Sequence, residues 1–404
     1  MVKTRKLLAG LPIAAALALA VPAGAQDMIK VGAVGPLSSP GSYQQGKELV
    51  LGLQWAVDDM NAKGGLLGKT IEMITEDTQG KPPTGATAVE KLITSDGVVG
   101  VAGEYHSSVC TAEIEVFKQH GVPFVIGSCW ADTLTQAGYA EVFRTSVYSS
   151  KLAENMAGLA ADAGLKKVVA IVEDSDYGIG IAENVAASIK KIGAPIEFSY
   201  EVVEKTGKDF VPVLLKYKTQ VKPDMIISAV TQPGGFLVLK QAHEIGFAPS
   251  KETLFMDATC TAQNDKVFWE AVKGAGNHVL MSCPFSPSVK LTPLGEQIKA
   301  RYIKEFDREP NYVVLQGYDA MYALLKGIEA AGSTDKAAII KAIAGLKTDG
   351  TRGAIAFGEG PGVWHQQWKD VPTFIFQYTE MNQAAGEAAV LYPPAFATAK
   401  LMTQ

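Results

Sequence analysis

Short apolar runs alternate along this chain with stretches whose apolar residues recur at helical spacing. Ile29-Lys-Val-Gly-Ala-Val34 reads as a strand that ends at Gly35-Pro36. Leu49, Leu53, Ala56, Val57 and Met60 follow at steps of four, three, one and three, which lines one face of a helix. Asn61-Ala-Lys-Gly-Gly65 stops that helix, because paired glycines accept the left-handed backbone of a cap. The same reading predicts strands over 70–75, 98–102 and 123–126, with helices over 84–94 and 112–120. The pattern then starts again with a helix over 150–163 and a strand over 168–172. A helical stripe of Ile181, Val185, Ile189 and Ile192 comes next, then a strand over 225–230, a helix over 236–245 and strands over 254–256 and 279–281. Helices over 294–306, 313–331 and 337–346 and strand-rich segments around 354–357 and 373–378 complete the chain. Continuously apolar strands with helices between them belong to parallel sheets covered on both faces. Two successive runs of this kind predict an α/β fold of two doubly wound, Rossmann-like lobes.

The N-terminus carries a different pattern. Lys3, Arg5 and Lys6 precede an apolar stretch over 7–21, and Ala23-Gly24-Ala25 follows as a small-residue cleavage site. That order is the pattern of a secretory signal peptide over 1–25, with the mature chain starting near Gln26. The apolar stretch falls short of the about 20 residues of a membrane-spanning helix. No Cys follows the cleavage region, so a lipid anchor is not indicated. A chain of 404 residues is too long for one compact core and sufficient for two lobes. Its formal net charge of -5 becomes more negative once Lys3, Arg5 and Lys6 are removed, and no basic run occurs. This argues against nucleic acid and anionic membrane surfaces as partners. Cys110, Cys129, Cys260 and Cys283 lack the close spacing of zinc or redox sites. In an oxidising compartment their even number permits disulfides. Cys260 and Cys283 each end a predicted strand and could face each other, although four cysteines allow three connectivities.

Ligands of open α/β sheets bind beyond the carboxyl ends of the strands, where helices present free N–H groups. Three loops at such ends are informative: Gly103-Glu-Tyr-His-Ser-Ser-Val109, Gly127-Ser-Cys-Trp-Ala131 and Glu173-Asp-Ser-Asp-Tyr-Gly178. Ser107 and Ser108 suit the N-cap of the following helix, and their hydroxyl and N–H groups suit a carboxylate. Each loop taken alone reads as a cap or a solvated turn; three at matching strand ends, each with a serine or an aromatic, point to a ligand cleft. Catalytic patterns are weak. His106, His120, His243, His278 and His365 are scattered, with no pair at metal-ligand spacing on one helix. There is no GxSxG elbow or P-loop, and Gly178-Ile-Gly180 lacks the third glycine of a dinucleotide fingerprint. Asp174, Asp176 and Asp257 are conceivable acid/base partners, but loop solvation suits the first two better. The expectation is a non-enzyme with no cofactor and no metal.

Asn61-Ala-Lys-Gly-Gly-Leu-Leu-Gly-Lys-Thr-Ile-Glu72 with Glu76-Asp77, Val31-Gly-Ala-Val-Gly-Pro-Leu-Ser38, Asp176-Tyr-Gly178 and Gly317-Tyr-Asp-Ala320 together resemble type I periplasmic binding proteins for branched-chain amino acids and amides. The resemblance covers nearly the whole mature chain in order. It implies a two-lobe clamp with a three-strand hinge, a monomer that traps a small-molecule ligand by closing and is then recognised by the membrane permease of an ABC importer. Lobe 1 would comprise 28–145 with 285–350, and lobe 2 would comprise 146–284 with 351–404. By the same resemblance Ser107 holds the ligand's α-carboxylate, and Ser128, Cys129 and Trp130 stand where the family uses Gly-Ala-Thr for carboxylate and ammonium contacts. Tyr177 covers the ligand from lobe 2. Tyr43, Gln44 and Gln45 occupy the first loop, where an aromatic wall residue is usual, and Thr231 and Gln232 follow a lobe 2 strand.

The departures bear on the ligand. The family's carboxylate for an amino acid's ammonium falls at Thr259, which carries no charge. Burying an ammonium without a counter-charge costs several kcal/mol, and Glu104 or Asp257 are the candidates to replace it. Trp130 is far larger than Thr, so it either shrinks the pocket or stacks on a planar or cationic ligand. Three ligand classes remain open: a hydrophobic, typically branched-chain amino acid with a relocated acid, an amide or urea-like compound, and a carboxylate without an amine. A ligand-sensing receptor module and a secreted enzyme are the competing function classes; the leader weighs against the first and the missing catalytic motifs against the second.

Overall fold

The computed structural model describes Met1, residues 28–263 and residues 265–403, so the body of the expected leader lies outside the described residues. Two sheets organise the described chain. In the first, the strands run in the order Lys347–Asp349, Ala354–Glu359, His365–Trp368, Val142–Arg144, Phe124–Ile126, Val101–Gly103, Ile29–Gly35 and Ile71–Asp77. In the second, the order is Ala389–Tyr392, Phe374–Gln377, Leu280–Cys283, Leu254–Asp257, Met225–Ala229, Lys167–Glu173 and Glu197–Val203. Six consecutive strands of the first sheet, His365–Trp368 to Ile71–Asp77, and five of the second, Leu280–Cys283 to Glu197–Val203, are parallel, and the antiparallel additions come from the C-terminal part of the chain. The fold is thus two doubly wound α/β lobes. In each, the first strand lies between the second and the third, so the winding reverses beside Ile29–Gly35 and beside Lys167–Glu173. Such a reversal opens a crevice at the carboxyl ends of the strands.

Continuous apolar strands account for the parallel sheets: Val168 to Val172 are all buried, as helices cover both faces. Each fully buried aliphatic side chain contributes about 1.5–3 kcal/mol. The chain passes between the sheets over 145–148, 284–292 and 369–373, between Arg144 and the helix Ser149–Asp162, between Cys283 and the helix Pro293–Phe306, and between Trp368 and Phe374. The third passage corrects the expected division, which placed all of 351–404 in lobe 2. Ala354–Glu359 and His365–Trp368 extend the first sheet, because His365–Trp368 pairs in parallel with Val142–Arg144 through Gln367 and Arg144.

Both cysteine pairs are disulfides, Cys110–Cys129 and Cys260–Cys283, with no free cysteine among the described residues. The second is the pairing that the strand ends suggested. The first joins the helix Ser107–His120 to the loop after Phe124–Ile126.

The helices Tyr43–Ala62 and Tyr312–Ala331 cross at backbone contact. A Cβ on Gly52 would lie 2.1 Å from the Val314 carbonyl oxygen, and one on Gly317 would lie 2.2 Å from that of Leu49. Gly52→Ala is therefore expected to lower stability by about 1–3 kcal/mol through overpacking, read as a reduced urea midpoint with an unchanged slope.

Candidate functional site

The lobe 1 wall begins with a sharp turn. Gly103 has φ +137, and a Cβ there would meet the Val34 carbonyl oxygen at 2.2 Å. Glu104 follows at φ +61, a conformation that non-glycine residues adopt at a cost. Its carboxylate accepts the His106 N–H at 3.0 Å, which holds the turn and carries Tyr105, His106 and Ser107 into the crevice. The helix Ser107–His120 starts here with no side chain capping it. Ser107 is thus the first helical residue rather than the expected cap. Its Oγ instead accepts the N–H groups of Trp130 and Ala131, both at 3.1 Å, so its own proton points elsewhere.

Lobe 2 supplies the opposite wall. Glu173 ends its strand and accepts the Thr231 N–H at 2.7 Å, the Thr231 hydroxyl at 2.6 Å and the Ser175 hydroxyl at 2.7 Å. Ser175 also accepts the Gly178 N–H, starting the helix Asp176–Ile192 that carries Tyr177. Together the walls surround about 360 Å³ of space free of protein atoms, part of it continuous with solvent. From lobe 1 the lining includes Ser107, Ser108, Ser128 and Trp130; from lobe 2 it includes Glu173, Tyr177, Lys205, Thr231 and Thr259.

The lobes are closed over this cavity. Asp176 N–H donates to Ser108 Oγ at 3.1 Å, and Thr111 Oγ1 donates to Asp176 Oδ2 at 2.7 Å. The Trp130 ring meets Tyr177 edge-on at 5.8 Å and Tyr312 at 5.3 Å. Tyr177 donates to the Ala258 carbonyl and Tyr312 to that of Thr259. Burial pushes the phenols of Tyr105, Tyr177 and Tyr312 up, so all three are neutral hydrogen-bonding groups.

Five of the nine expected ligand residues share this cavity: Ser107, Ser128, Trp130, Tyr177 and Thr259. Four do not. Cys129 is buried in its disulfide with Cys110 and is absent from the lining. Tyr43 is 48% exposed and, with Gln45 and Gln232, lines a wider outer cleft. There Gln45 Nε2 donates to Gln232 Oε1 at 2.9 Å, so the two amides bridge the lobes. Of the two acids offered for the missing charge, Asp257 is occupied by Thr259, Thr261 and the Ala262 N–H, and neither it nor Glu104 lines the cavity. The lining carboxylate is Glu173. Tyr105, Lys205 and Tyr312 were missed. Tyr105 and Lys205 follow strand ends, so the carboxyl-end rule reaches them once the strands Val101–Gly103 and Glu197–Val203 are known.

Two acids lie behind the lobe 1 wall. Burial raises the Glu104 carboxyl, and burial together with the Glu104 charge raises Glu113 well above its ordinary 4.5. Neither Glu113 oxygen has a hydrogen-bond partner among the described residues.

Three comparisons bear on this arrangement. A family model described as a periplasmic binding protein matches residues 28–379. A Leu/Ile/Val-binding protein homolog from Brucella suis is 26% identical over 390 residues, covering 90% of this chain and 94% of the relative. Among solved structures, a leucine-binding protein LivK from Thermotoga maritima superposes with a TM-score of 0.79 at 22% identity, covering 90% of this chain and 97% of that one. A solute-binding protein from R. palustris in complex with benzoate gives 0.78 at 19% identity, covering 94% and 98%. At these identities the structural likeness concerns the fold.

The folded protein binds the Glu113 proton more tightly than the unfolded chain does, so this group's contribution to stability is complete below pH 4.5 and declines as pH rises toward the folded value. Glu113→Gln is expected to raise stability over the parent by about 1–3 kcal/mol at pH 8 and to match it at pH 4, in paired urea titrations.

Proposed function

Because the chain belongs to the periplasmic binding protein family, we propose that it is the solute-binding component of an ABC importer. In this reading it works in the periplasm as a monomer, closes on a hydrophobic amino acid and presents the closed form to a membrane permease. Contacts from both lobes favour the closed state, so binding is a population shift.

One observation carries the amino-acid reading: three of the cavity's hydroxyls, away from the helix start at Ser107, already have their protons committed. Ser128 Oγ donates to Gln316 at 2.6 Å, Thr259 Oγ1 to Asp257 at 2.6 Å and Thr231 Oγ1 to Glu173 at 2.6 Å. Their remaining lone pairs, with the Glu173 carboxylate, are acceptors for the three protons of an ammonium. Ser107 and the uncapped helix start are donors for a carboxylate. Glu173 thereby takes the part that Thr259 lacks. Trp130, Tyr105 and Tyr177 supply apolar surface for the side chain.

A second reading, an aromatic carboxylate without an amine, is favoured by that same aromatic wall and by the benzoate complex of the R. palustris protein. Calorimetric titration with leucine, isoleucine, valine and benzoate separates the two. Failure of all three amino acids alongside benzoate binding moves the assignment to the second reading, and turnover of a bound solute overturns the carrier role. Ser107→Ala is expected to weaken binding by about 1–3 kcal/mol through one lost donor, and Tyr177→Ala by more, since the ring closes the cavity. Unchanged affinity in both variants would place the ligand elsewhere.

A further inference from the structure

Lys205 follows the edge strand Glu197–Val203 and reaches across the closed cleft, where its Nζ lies 3.0 Å from His106 Nδ1. The other ring nitrogen of His106 accepts the backbone N–H of Ser42 at 3.1 Å. A backbone amide can only donate, so Nε2 carries no proton and the neutral imidazole has its proton on Nδ1. Burial, followed by the charge of Lys205, pushes His106 well below its ordinary 6.5, in keeping with a neutral ring. The ammonium of Lys205 therefore points at a nitrogen that is itself a donor. It has no other hydrogen-bond or ion-pair partner among the described residues. Glu173, the lining carboxylate, is engaged by Thr231 and Ser175. Ser107, the neighbour of His106, lines the same cavity at an uncapped helix start.

We propose that Lys205 is the lobe 2 half of a carboxylate site whose lobe 1 half is the helix start at Ser107 and Ser108, so that one ligand carboxylate is held from both lobes. The assignment rests on reading the cavity as the ligand site. It deepens that reading in one respect: the ligand is a carboxylate, free or zwitterionic, and a neutral amide is rejected. An anion placed between the lobes gives the ammonium both an acceptor and a counter-charge on closure, where a neutral amide offers the acceptor alone, so Lys205 ties closing to the charge of the solute.

The test uses matched acids and amides, leucine with leucinamide and benzoate with benzamide, titrated calorimetrically into the parent, Lys205→Met and Lys205→Arg proteins. Circular dichroism and melting curves check that the variants fold. Lys205→Met is expected to lose roughly ten- to hundredfold in affinity for the acid that binds, the loss of one charge-assisted hydrogen bond, with Lys205→Arg recovering most of it. Unchanged affinity for the acid in Lys205→Met, or an amide bound by the parent as tightly as its acid, overturns the assignment. A second readout needs no solute. In ligand-stripped protein, removing the ammonium relieves the donor–donor contact, so Lys205→Met is expected to be more compact than the parent by small-angle X-ray scattering. If the parent takes none of the four probes, the ligand class proposed above fails, while the Lys205 assignment is decided by that scattering comparison. A Lys205→Met protein no more compact than its parent then refutes it.

Discussion

A single chain that builds two parallel sheets has to cross between them, and everything at the cleft depends on how those crossings are held. Two buried guanidinium groups hold the first. Arg144 donates to the Gln367 side chain, to the Ala131 carbonyl at 2.6 Å and to Thr135 at 3.2 Å. Arg352 pairs with Asp319 at 3.1 Å and donates to the Thr145 carbonyl at 3.1 Å. The Arg352–Asp319 pair is almost fully removed from water, so deleting one partner strands a buried charge, at about 3–5 kcal/mol. Arg144 has no carboxylate in contact among the described residues, and burial pushes it down to about 10. Its partners are the loop that carries Trp130 and the strand that joins Val142–Arg144 to the C-terminal strands of the first sheet, so one side chain links the first crossing, the wall and the sheet.

The walls are rigid where the contacts across the cleft are sparse. Each disulfide ties wall segments together: Cys110–Cys129 joins the helix start at Ser107 to the Trp130 loop, and Cys260–Cys283 joins the Thr259 loop to the second crossing. Between the lobes the contacts include single polar bonds, such as Asp176 to Ser108 and Gln45 to Gln232. Each such bond is worth about 1 kcal/mol net. In the proposed clamp, stiff walls joined by bonds of this size leave the balance between open and closed forms within reach of a modest ligand contribution.

Much of this was legible in the sequence. Runs such as Val168 to Val172 indicate a strand covered on both faces, and the carboxyl-end rule then reached the loops of Ser107, Ser128, Trp130 and Tyr177, while Thr259 came from the family resemblance. What escaped has physical causes. Glu197–Val203 is an edge strand whose Glu197, Ser199 and Tyr200 are exposed, so it lacks an apolar run, and without it Lys205 has no strand end to follow. The third crossing was set too early because pairing between His365–Trp368 and Val142–Arg144 is a contact between distant segments. Cys129 looked like a wall residue by position, but its side chain turns to Cys110. Tyr105 and Tyr312 meet only in three dimensions, their hydroxyls 3.2 Å apart.

The charge balance of the closed cavity narrows the ligand further than the relatives do. Its lining holds one carboxylate, Glu173, and one ammonium, Lys205, while His106 is neutral. A zwitterion adds no net charge and offers each a partner. A simple carboxylate satisfies Lys205 but leaves one uncompensated negative charge in a closed site, at an effective penalty of several kcal/mol. A neutral amide avoids that penalty but gives the Lys205 ammonium no counter-charge. Of the three classes, the amino acid alone meets both conditions, so in the proposed reading Glu173 takes the place of the acid missing at Thr259.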